Sequence, residues 1–145
     1  MEPQIRVREF VDYYLKDEIA QTLLKNSFLT ETQFETILIN ESFRVLTENQ
    51  ATTSEKAKIR NTYVSRASFS RTLSQARRNL VKSFMTILLL RYVGIIQDEV
   101  FDAFDQLGEQ LRQLQDLSDA EVQGLETELI AVINELSKPT SIKTL

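Results

Sequence analysis

Apolar residues recur every three or four positions along most of the chain, which is the spacing of an amphipathic α-helix. Alternation of apolar and polar residues, the pattern of a half-buried strand, is sustained nowhere. A length of 145 residues is enough for a domain that buries a core without metal or disulfide support. The sequence therefore predicts an all-α fold. The predicted helices cover residues 4–25, 30–46, 55–61, 65–93, 98–114 and 118–138.

Residues that commonly begin or end helices predict several of the helix boundaries. Thr30 and Ser118 are each followed three positions later by Gln or Glu, so each is expected to open a helix through a capping box. Gly94 is expected to end the long helix, because glycine adopts the left-handed conformation that closes many helices. Pro139 is expected to end the last helix. In the second helix the predicted core stripe consists of Phe34, Ile37, Leu38, Glu41 and Val45.

The absence of two residue types excludes many catalytic and metal sites. Without cysteine the chain cannot form a disulfide, a zinc ribbon, an iron–sulfur cluster or a thiol nucleophile. Without histidine it lacks the commonest general base and transition-metal ligand. An acidic run near residue 98 lacks the spacing of an EF-hand loop and is expected to complement a helix N-terminus. We therefore expect no enzyme activity, no metal and no cofactor.

The longest apolar stretch spans residues 84–96 and is interrupted by Arg91. It is shorter than the roughly 20 residues that cross a bilayer. We therefore expect it to lie in the core or in a helix–helix interface. The first ten residues carry mixed charge and no apolar signal segment, so the expected location is the cytoplasm.

Charge is distributed in three blocks along the chain. Residues 1–54 carry 5 basic and 9 acidic residues, residues 55–91 carry 9 and 1, and residues 92–145 carry 3 and 11, which gives −4, +8 and −8. The central block produces a local field that attracts anionic partners whatever the total charge. The alternative is that this basic block packs against the acidic segments of the same chain.

The basic block contains a segment with the residue types of a DNA recognition helix, VSRASFSRTLSQARRNL at residues 64–80. Small residues at the helix start allow close approach to base edges, while Arg pairs with guanine and Gln with adenine. Hydroxyl and basic side chains reach phosphates. On a helix, residues 68, 71, 72 and 75 share a face that lies away from the apolar residues of this segment.

This segment resembles the second half of the helix-turn-helix in sigma-factor region 4 proteins, whose sequences run VSRATVSRxLxRARxxL. The segment FLTETQFETIL at residues 28–38 is similar to the LTxRQxExL opening of the same domain. Archaeal Tfx-type regulators have a similar arrangement, and the resemblance covers about residues 28–80. Two departures are that KAKIRNTYVSR replaces the family's EIAxxLG helix and that Tyr63 stands where the family has Gly.

The resemblance implies a tri-helical core with a helix-turn-helix and a set of DNA contacts. Ser65 and Arg66 would contact DNA at the turn and the helix start. Arg78 and Lys82 would reach the DNA backbone. The residues implied to face bases are Ser68, Arg71, Thr72 and Gln75.

The sequence suggests two parts, a helical domain at residues 1–97 that contains the helix-turn-helix and an acidic C-terminal helical hairpin at residues 98–145. Apolar residues in the hairpin form a heptad-like seam, which predicts either packing within the chain or a coiled-coil homodimer. The long helix is the other candidate for the dimer interface. The seam consists of Val122, Leu125, Leu129, Val132 and Leu136.

We therefore expect a DNA-binding transcriptional regulator, associated with the nucleoid, that places a basic recognition helix in the major groove of double-stranded DNA and forms a homodimer. RNA stays open as a ligand, because phosphate contacts are common to both, although no aromatic platform for stacked bases is evident. The alternative is a non-enzymatic helical module for protein–protein interaction, whose basic helix binds an acidic partner.

Overall fold

The computed structural model describes residues 2–47, 50–114 and 118–138. In these ranges the chain forms seven α-helices and no strand, which confirms the all-α prediction. None of these helices combines the length and the apolar character needed to cross a membrane. The helices are α1 (Pro3–Lys16), α2 (Glu18–Lys25), α3 (Glu31–Leu46), α4 (Thr53–Ala57), α5 (Arg66–Tyr92), α6 (Asp98–Gln113) and α7 (Asp119–Ser137).

The two predicted capping boxes are confirmed. The Thr30 hydroxyl accepts the N–H of Gln33 at 3.1 Å, and the Ser118 hydroxyl accepts the N–H of Glu121 at 3.3 Å, each with the reciprocal side-chain bond. The N–H of Ser118 donates to the Glu121 carboxylate at 2.7 Å and lowers the pKa of that group. Thr52 forms a third capping box, so α4 begins earlier than predicted.

The predicted end of the long helix at Gly94 is also confirmed. Gly94 has a φ of 82°, which is the left-handed conformation that favours glycine. The N–H of Ile95 donates to the carbonyl of Leu90 at 2.9 Å, and this bond belongs to the Schellman motif that closes many helices. Pro139, the predicted end of the last helix, lies outside the described residues.

The first predicted helix is wrong in one respect, because it consists of two helices. α1 ends at Lys16, α2 begins at Glu18, and Asp17 between them has an extended backbone. The Asp17 carboxylate accepts the N–H of Ala20 at 2.8 Å, so this residue caps α2. Apolar spacing continues across the break, which is why periodicity predicted a single helix.

The chain divides into two compact units, Met1–Val81 and Lys82–Leu145. The predicted domain boundary at residue 97 stays a prediction. In the first unit a buried cluster joins α1, α3, α4 and the first half of α5. Because Phe69 of α5 is fully enclosed in this cluster, the core fixes which side of α5 faces solvent. The cluster contains Val7, Val11, Ile39, Phe43, Ala57, Ile59 and Phe69.

The buried face of α3 differs from the predicted stripe. Thr36, Ser42 and Phe43 are buried, whereas Val45, which belongs to the predicted stripe, is exposed. The hydroxyls of Thr36 and Ser42 donate to backbone carbonyls four residues earlier in the helix, so their polar atoms are satisfied without water. The buried face is therefore rotated by about one residue from the prediction and contains polar side chains.

Glu35 on this buried face binds two arginines. Nη1 of Arg8 donates to its carboxylate at 2.9 Å, and Nε of Arg60 lies 3.6 Å from it. The N–H of Asn61 donates to the same carboxylate at 2.8 Å. The side chains of Glu35 and Arg60 are only 7% and 9% exposed. This carboxylate therefore joins α3 to α1 and to the segment that follows α4.

Arg8 makes two further interactions beside Glu35. It donates to the carbonyl of Ile59 at 2.7 Å and to the carboxylate of Asp12, with Nε at 2.9 Å. Hydrogen bonding by Arg8 lowers the pKa of Asp12. We name Arg8, Asp12, Glu35 and Arg60 the Glu35 cluster, in which two positive and two negative charges balance.

The second unit contains the end of α5 together with α6 and α7. The prediction that residues 84–96 lie in a core is wrong for the single chain, because Phe84 and Leu88 are 63% and 61% exposed. Among the described residues of this unit, Leu129 is the only one that is buried. The alternative prediction, that this stretch forms a helix–helix interface, stays a prediction.

We expect Glu35→Gln to lower the free energy of unfolding by about 3–5 kcal/mol, because it leaves two arginines without a buried anion. Urea unfolding followed by circular dichroism measures this loss. Glu41→Gln on the same helix is the control, since Glu41 forms an exposed pair with Arg44 at 2.8 Å and is expected to cost about 1 kcal/mol or less. Equal losses in the two variants would contradict the role of the Glu35 cluster.

We expect Asp12→Asn to remove a stabilisation that depends on pH. Because the folded-state pKa of Asp12 is lowered, its contribution is complete above the ordinary pKa of about 3.9 and is lost as the pH falls through the lowered value. The difference in unfolding free energy from wild type should therefore shrink below about pH 4. Asp105→Asn, at an exposed position on α6, is the control and should change the free energy of unfolding by no more than about 0.5 kcal/mol.

Candidate nucleic-acid interface

The first half of α5 has one face in the core of the first unit. Phe69 and Ala76 are buried, and Leu73 packs against the same cluster. Residues at this spacing lie on one side of a helix, so the other side of α5 is open to solvent. The 27 residues of α5 include no Asp or Glu, so every charge on its open side is positive.

Arg71, Gln75 and Arg78 form one exposed row on the open side of α5, which we name the basic stripe. Their spacing of four and three residues keeps them within about 60° of one another around the helix axis. The row extends about 10 Å along that axis. Two guanidinium groups and one amide therefore point in a similar direction from a helix that the core holds in place.

The basic stripe makes no ion pair within the described residues of the first unit. Other cations of this unit are engaged, since Arg60 pairs with Glu35, Arg44 with Glu41, and Lys56 Nζ donates to Asn40 at 3.0 Å. Within the described residues of this unit, no acidic side chain neutralises the two guanidinium groups of the stripe. The alternative, that the basic block packs against acidic segments of the same chain, stays a prediction.

Ser65 caps the start of α5. Its hydroxyl accepts the N–H of Ser68 at 3.1 Å, and its carbonyl accepts the N–H of Phe69 at 3.0 Å. Ser65 and Arg66 are both exposed beside the N–H groups of the first helical turn. Ser65 thus has a structural role, and its hydroxyl proton still has the capacity to donate to a phosphate.

Of the four residues expected to face bases, only Arg71 and Gln75 are exposed and belong to the basic stripe. Ser68 and Thr72 are half-buried on a flank of α5. Asn79 lies on the same flank and donates to the carbonyl of Phe28 and to Oε1 of Gln33, both at 3.3 Å. This flank therefore faces the start of α3, and the solvent-facing set is narrower than predicted.

Besides Arg91, which pairs with Asp98, three further cations of α5 are exposed outside the basic stripe. Arg66 and Arg77 are eleven residues apart and lie on the flank opposite Ser68 and Thr72. Lys82 follows Arg78 by one turn of the helix and is the first residue of the second unit. The predicted contact residues Arg66, Arg71, Gln75, Arg78 and Lys82 are thus all exposed.

The segment that connects α4 to α5, residues 58–65, is eight residues long, and α4 has five residues. A helix-turn-helix has a turn of about three or four residues, so this connection departs from the arrangement that the resemblance implies. In the connecting segment Ile59 is buried and Val64 packs against the core cluster. The position of α5 is therefore set by core packing rather than by a short turn.

Sequence reasoning missed the division of the basic block into buried and exposed cations. Arg60 counted toward the local field, but its charge is neutralised by Glu35. In the described ranges, no three acidic side chains are arranged to hold a metal ion.

Comparisons with protein-family models, with curated proteins and with solved structures find no match to this chain.

We expect Ser65→Ala to lower the free energy of unfolding by about 1 kcal/mol, because the cap of α5 is lost. Ser65→Asp keeps an acceptor at this position and adds a favourable charge near the helix N-terminus, so it should retain wild-type stability. Thermal and urea unfolding measure both. Ser70→Ala, at an exposed position within α5, should change stability by no more than about 0.5 kcal/mol. A destabilised Ser65→Asp protein would contradict the capping role.

Proposed function

We propose that the chain is a DNA-binding transcriptional regulator whose helix α5 enters the major groove of double-stranded DNA. One observation carries the proposal: the basic stripe is exposed on a helix without Asp or Glu. The two arginines of the stripe make no ion pair within the described residues of the first unit. A helix fits the width of the major groove, and a positive row on its outer side is what a groove lined by phosphates attracts.

The side chains of the stripe match the groups on base edges. A guanidinium group donates two hydrogen bonds to O6 and N7 of guanine, and a glutamine amide pairs with N6 and N7 of adenine. In this proposal Gln75 lies between Arg71 and Arg78 and reads a base within the stretch that the two arginines approach. No aromatic residue belongs to the stripe, which favours a duplex over a single strand held by stacking.

The flanks of α5 are suited to the two phosphate strands that border the groove. Arg66 and Arg77 lie on one flank, and the hydroxyls of Ser68 and Thr72 lie on the other. Ser65 would add a phosphate contact at the helix start, where backbone N–H groups favour anions. Lys82 would extend the contacts one turn further along α5. Association with DNA would place the protein at the nucleoid.

A packed core, rather than a short helix-turn-helix turn, presents α5 to solvent, through the cluster around Phe69. The resemblance of residues 64–80 to sigma-factor region 4 supports the proposal through the same residue types. The other candidate, an acidic protein partner, requires the same exposed cations but gives no role to Gln75.

We expect random duplex DNA to bind the wild-type protein with a slope of log K against log salt of about −4 to −5 per bound chain, since five exposed cations of α5 are available on each chain. In the double variant Arg71→Ala/Arg78→Ala the slope should be flatter by about 2, and the affinity lower at every salt concentration. Fluorescence anisotropy over a salt series measures both quantities. The cations are Arg66, Arg71, Arg77, Arg78 and Lys82.

The matched control is Arg6→Ala/Arg44→Ala, which removes the same charge from exposed positions on α1 and α3. It should keep the wild-type slope to within about 0.5, because its arginines make no phosphate contact in this proposal. A slope that is equally flat in both variants would mean that only the total charge matters. The proposal is also contradicted if folded protein does not bind duplex DNA at about 50 mM salt.

Two further variants separate base reading from phosphate contact. Ser65→Asp should weaken binding while stability is retained, because a negative charge then faces the phosphate strand. Gln75→Ala should leave the salt slope unchanged and relax the sequence preference found by selection from a random duplex library. Duplex RNA of equal length should bind more weakly, since the major groove of A-form RNA is too narrow for a helix.

A further inference from the structure

The second unit has almost no buried interior of its own. Among its described residues Leu129 alone is buried, at 7% exposure, and α6 has no buried residue. Helices need a buried apolar stripe, because most helical stability in proteins comes from packing. Packing within the single chain therefore leaves the apolar surface of this unit largely open.

The largest part of this open surface lies near the end of α5. Its five most exposed apolar side chains, each between 60% and 87% exposed, form what we name the apolar face of α5. Their spacings of four residues form two parallel ridges that together span about 140° around the helix. The first ridge is Phe84, Leu88 and Tyr92, and the second is Met85 and Leu89.

The area of this surface is that of a protein interface. Aromatic side chains bury about 150–250 Å² each when enclosed, so the five side chains of the apolar face, each 60–87% exposed, leave on the order of 600 Å² uncovered. The largest apolar patch of a typical monomer is about 300–600 Å², and a stable interface covers about 800 Å² of each partner, of which about 65% is apolar in homodimers. The apolar face therefore supplies the apolar area that a dimer interface needs.

The heptad-like seam of α7 does not compete for this role, because it faces α6. Leu125, Leu129 and Val132 of the seam line one groove together with Leu107 and Leu111 of α6. Leu129, at the centre of the seam, is the residue that is buried. The seam thus lines a groove with α6 and is less exposed than the end of α5, since Val132 is its only exposed residue. This favours the long helix over the C-terminal helix as the dimer interface.

Charge favours a second copy of this chain as the partner. A two-fold interface places the same surface against itself, so like charges on it would repel. The apolar face has no charge, and the neighbouring Arg91 is paired with Asp98 and lies 5.6 Å from the ring of Phe101. The exposed surface of α6 is acidic, with Asp102 and Asp105, and would oppose its own copy.

We propose that the chain forms a homodimer in which the apolar face of α5 packs against the same face of a second copy. Ridges spaced by four residues on both helices interdigitate at a crossing angle of about −50°, so the contact is a ridges-into-grooves crossing and not a coiled coil. Leu88 lies at the middle of the longer ridge, close to the two-fold axis. The dimer supplies the buried interior that the second unit lacks.

The mass of the full-length chain in solution tests the proposal. Wild type should sediment at twice the 16.8 kDa of one chain, and its melting temperature should rise with protein concentration. Leu88→Glu should have the mass of one chain, because it places two like charges together at the axis. Thr86→Glu is the matched control, since Thr86 is exposed on the opposite side of α5 and should leave the dimer intact.

A monomeric wild type at tens of micromolar would overturn the proposal, and so would a dimer that survives Leu88→Glu. Dissociation by Thr86→Glu to the same extent would also overturn it, because the effect would not be specific to the apolar face. These measurements contain no DNA. A failure of dimerisation is therefore distinguishable from a failure of the proposed DNA binding, which the salt series tests separately.

Disulfide cross-linking tests the same face in a way that does not depend on a disruptive charge. The chain has no cysteine, so one introduced thiol reacts only with its own copy. Among Phe84→Cys, Leu88→Cys and Tyr92→Cys, the variant nearest the two-fold axis should form a covalent dimer under mild oxidation. Thr86→Cys should stay monomeric on a non-reducing gel. No cross-link at any of the three positions, or an equal yield at Thr86→Cys, would overturn the proposal.

Discussion

The buried carboxylate of Glu35 is the interaction on which the arrangement of the first unit depends. An ionised carboxylate inside a protein is costly unless it is paired and hydrogen-bonded. Here Arg8 and the N–H of Asn61 donate hydrogen bonds to it, and Arg60 adds an ion pair at 3.6 Å. These partners come from α1 and from the segment between α4 and α5. The folded position of that segment, and so the point where α5 begins, is therefore coupled to one side chain of α3.

The Glu35 cluster also decides which cations of the basic block remain available. Arg60 is neutralised inside the unit, and Arg8 is shared between Glu35 and Asp12. The two carboxylates of the cluster are already paired with its two arginines, so neither is left to pair with the arginines of α5. In the first unit, the charges of the Glu35 cluster are thus paired, whereas the open side of α5 has a net positive charge.

The parts of the fold that the sequence predicted correctly are those fixed by local interactions. The capping boxes at Thr30 and Ser118 and the glycine closure at Gly94 depend on residues within one turn of each helix end. The buried face of α3 was predicted wrongly because Thr36 and Ser42 satisfy their hydroxyls on carbonyls of their own helix, which allows polar residues into the core. Periodicity counts such residues as exposed.

The unpaired positive charge on the exposed side of α5 was also predictable, because it follows from the residues within this one helix. On other helices an exposed cation pairs with a glutamate three residues earlier, as Arg44 does with Glu41, Arg112 with Glu109 and Lys138 with Glu135. α5 contains no Asp or Glu, so its arginines have no such partner within the helix. The apolar spacing of Phe69, Leu73 and Ala76 also indicated which side of α5 faces the core. What it did not indicate is which residues that side contacts, because Phe69 packs in a cluster with distant residues of α1 and α3.

The exposure of residues 84–96 was not predictable, because whether these residues are covered depends on contacts with distant residues or with another chain. A stretch this apolar is expected to be covered, and the sequence alone does not say whether the cover comes from the same chain or from another. Within the second unit α6 and α7 direct apolar residues toward each other across one groove, and the apolar face of α5 stays open. In the proposed homodimer a second copy covers this face, since two equal faces without charge can pack against each other.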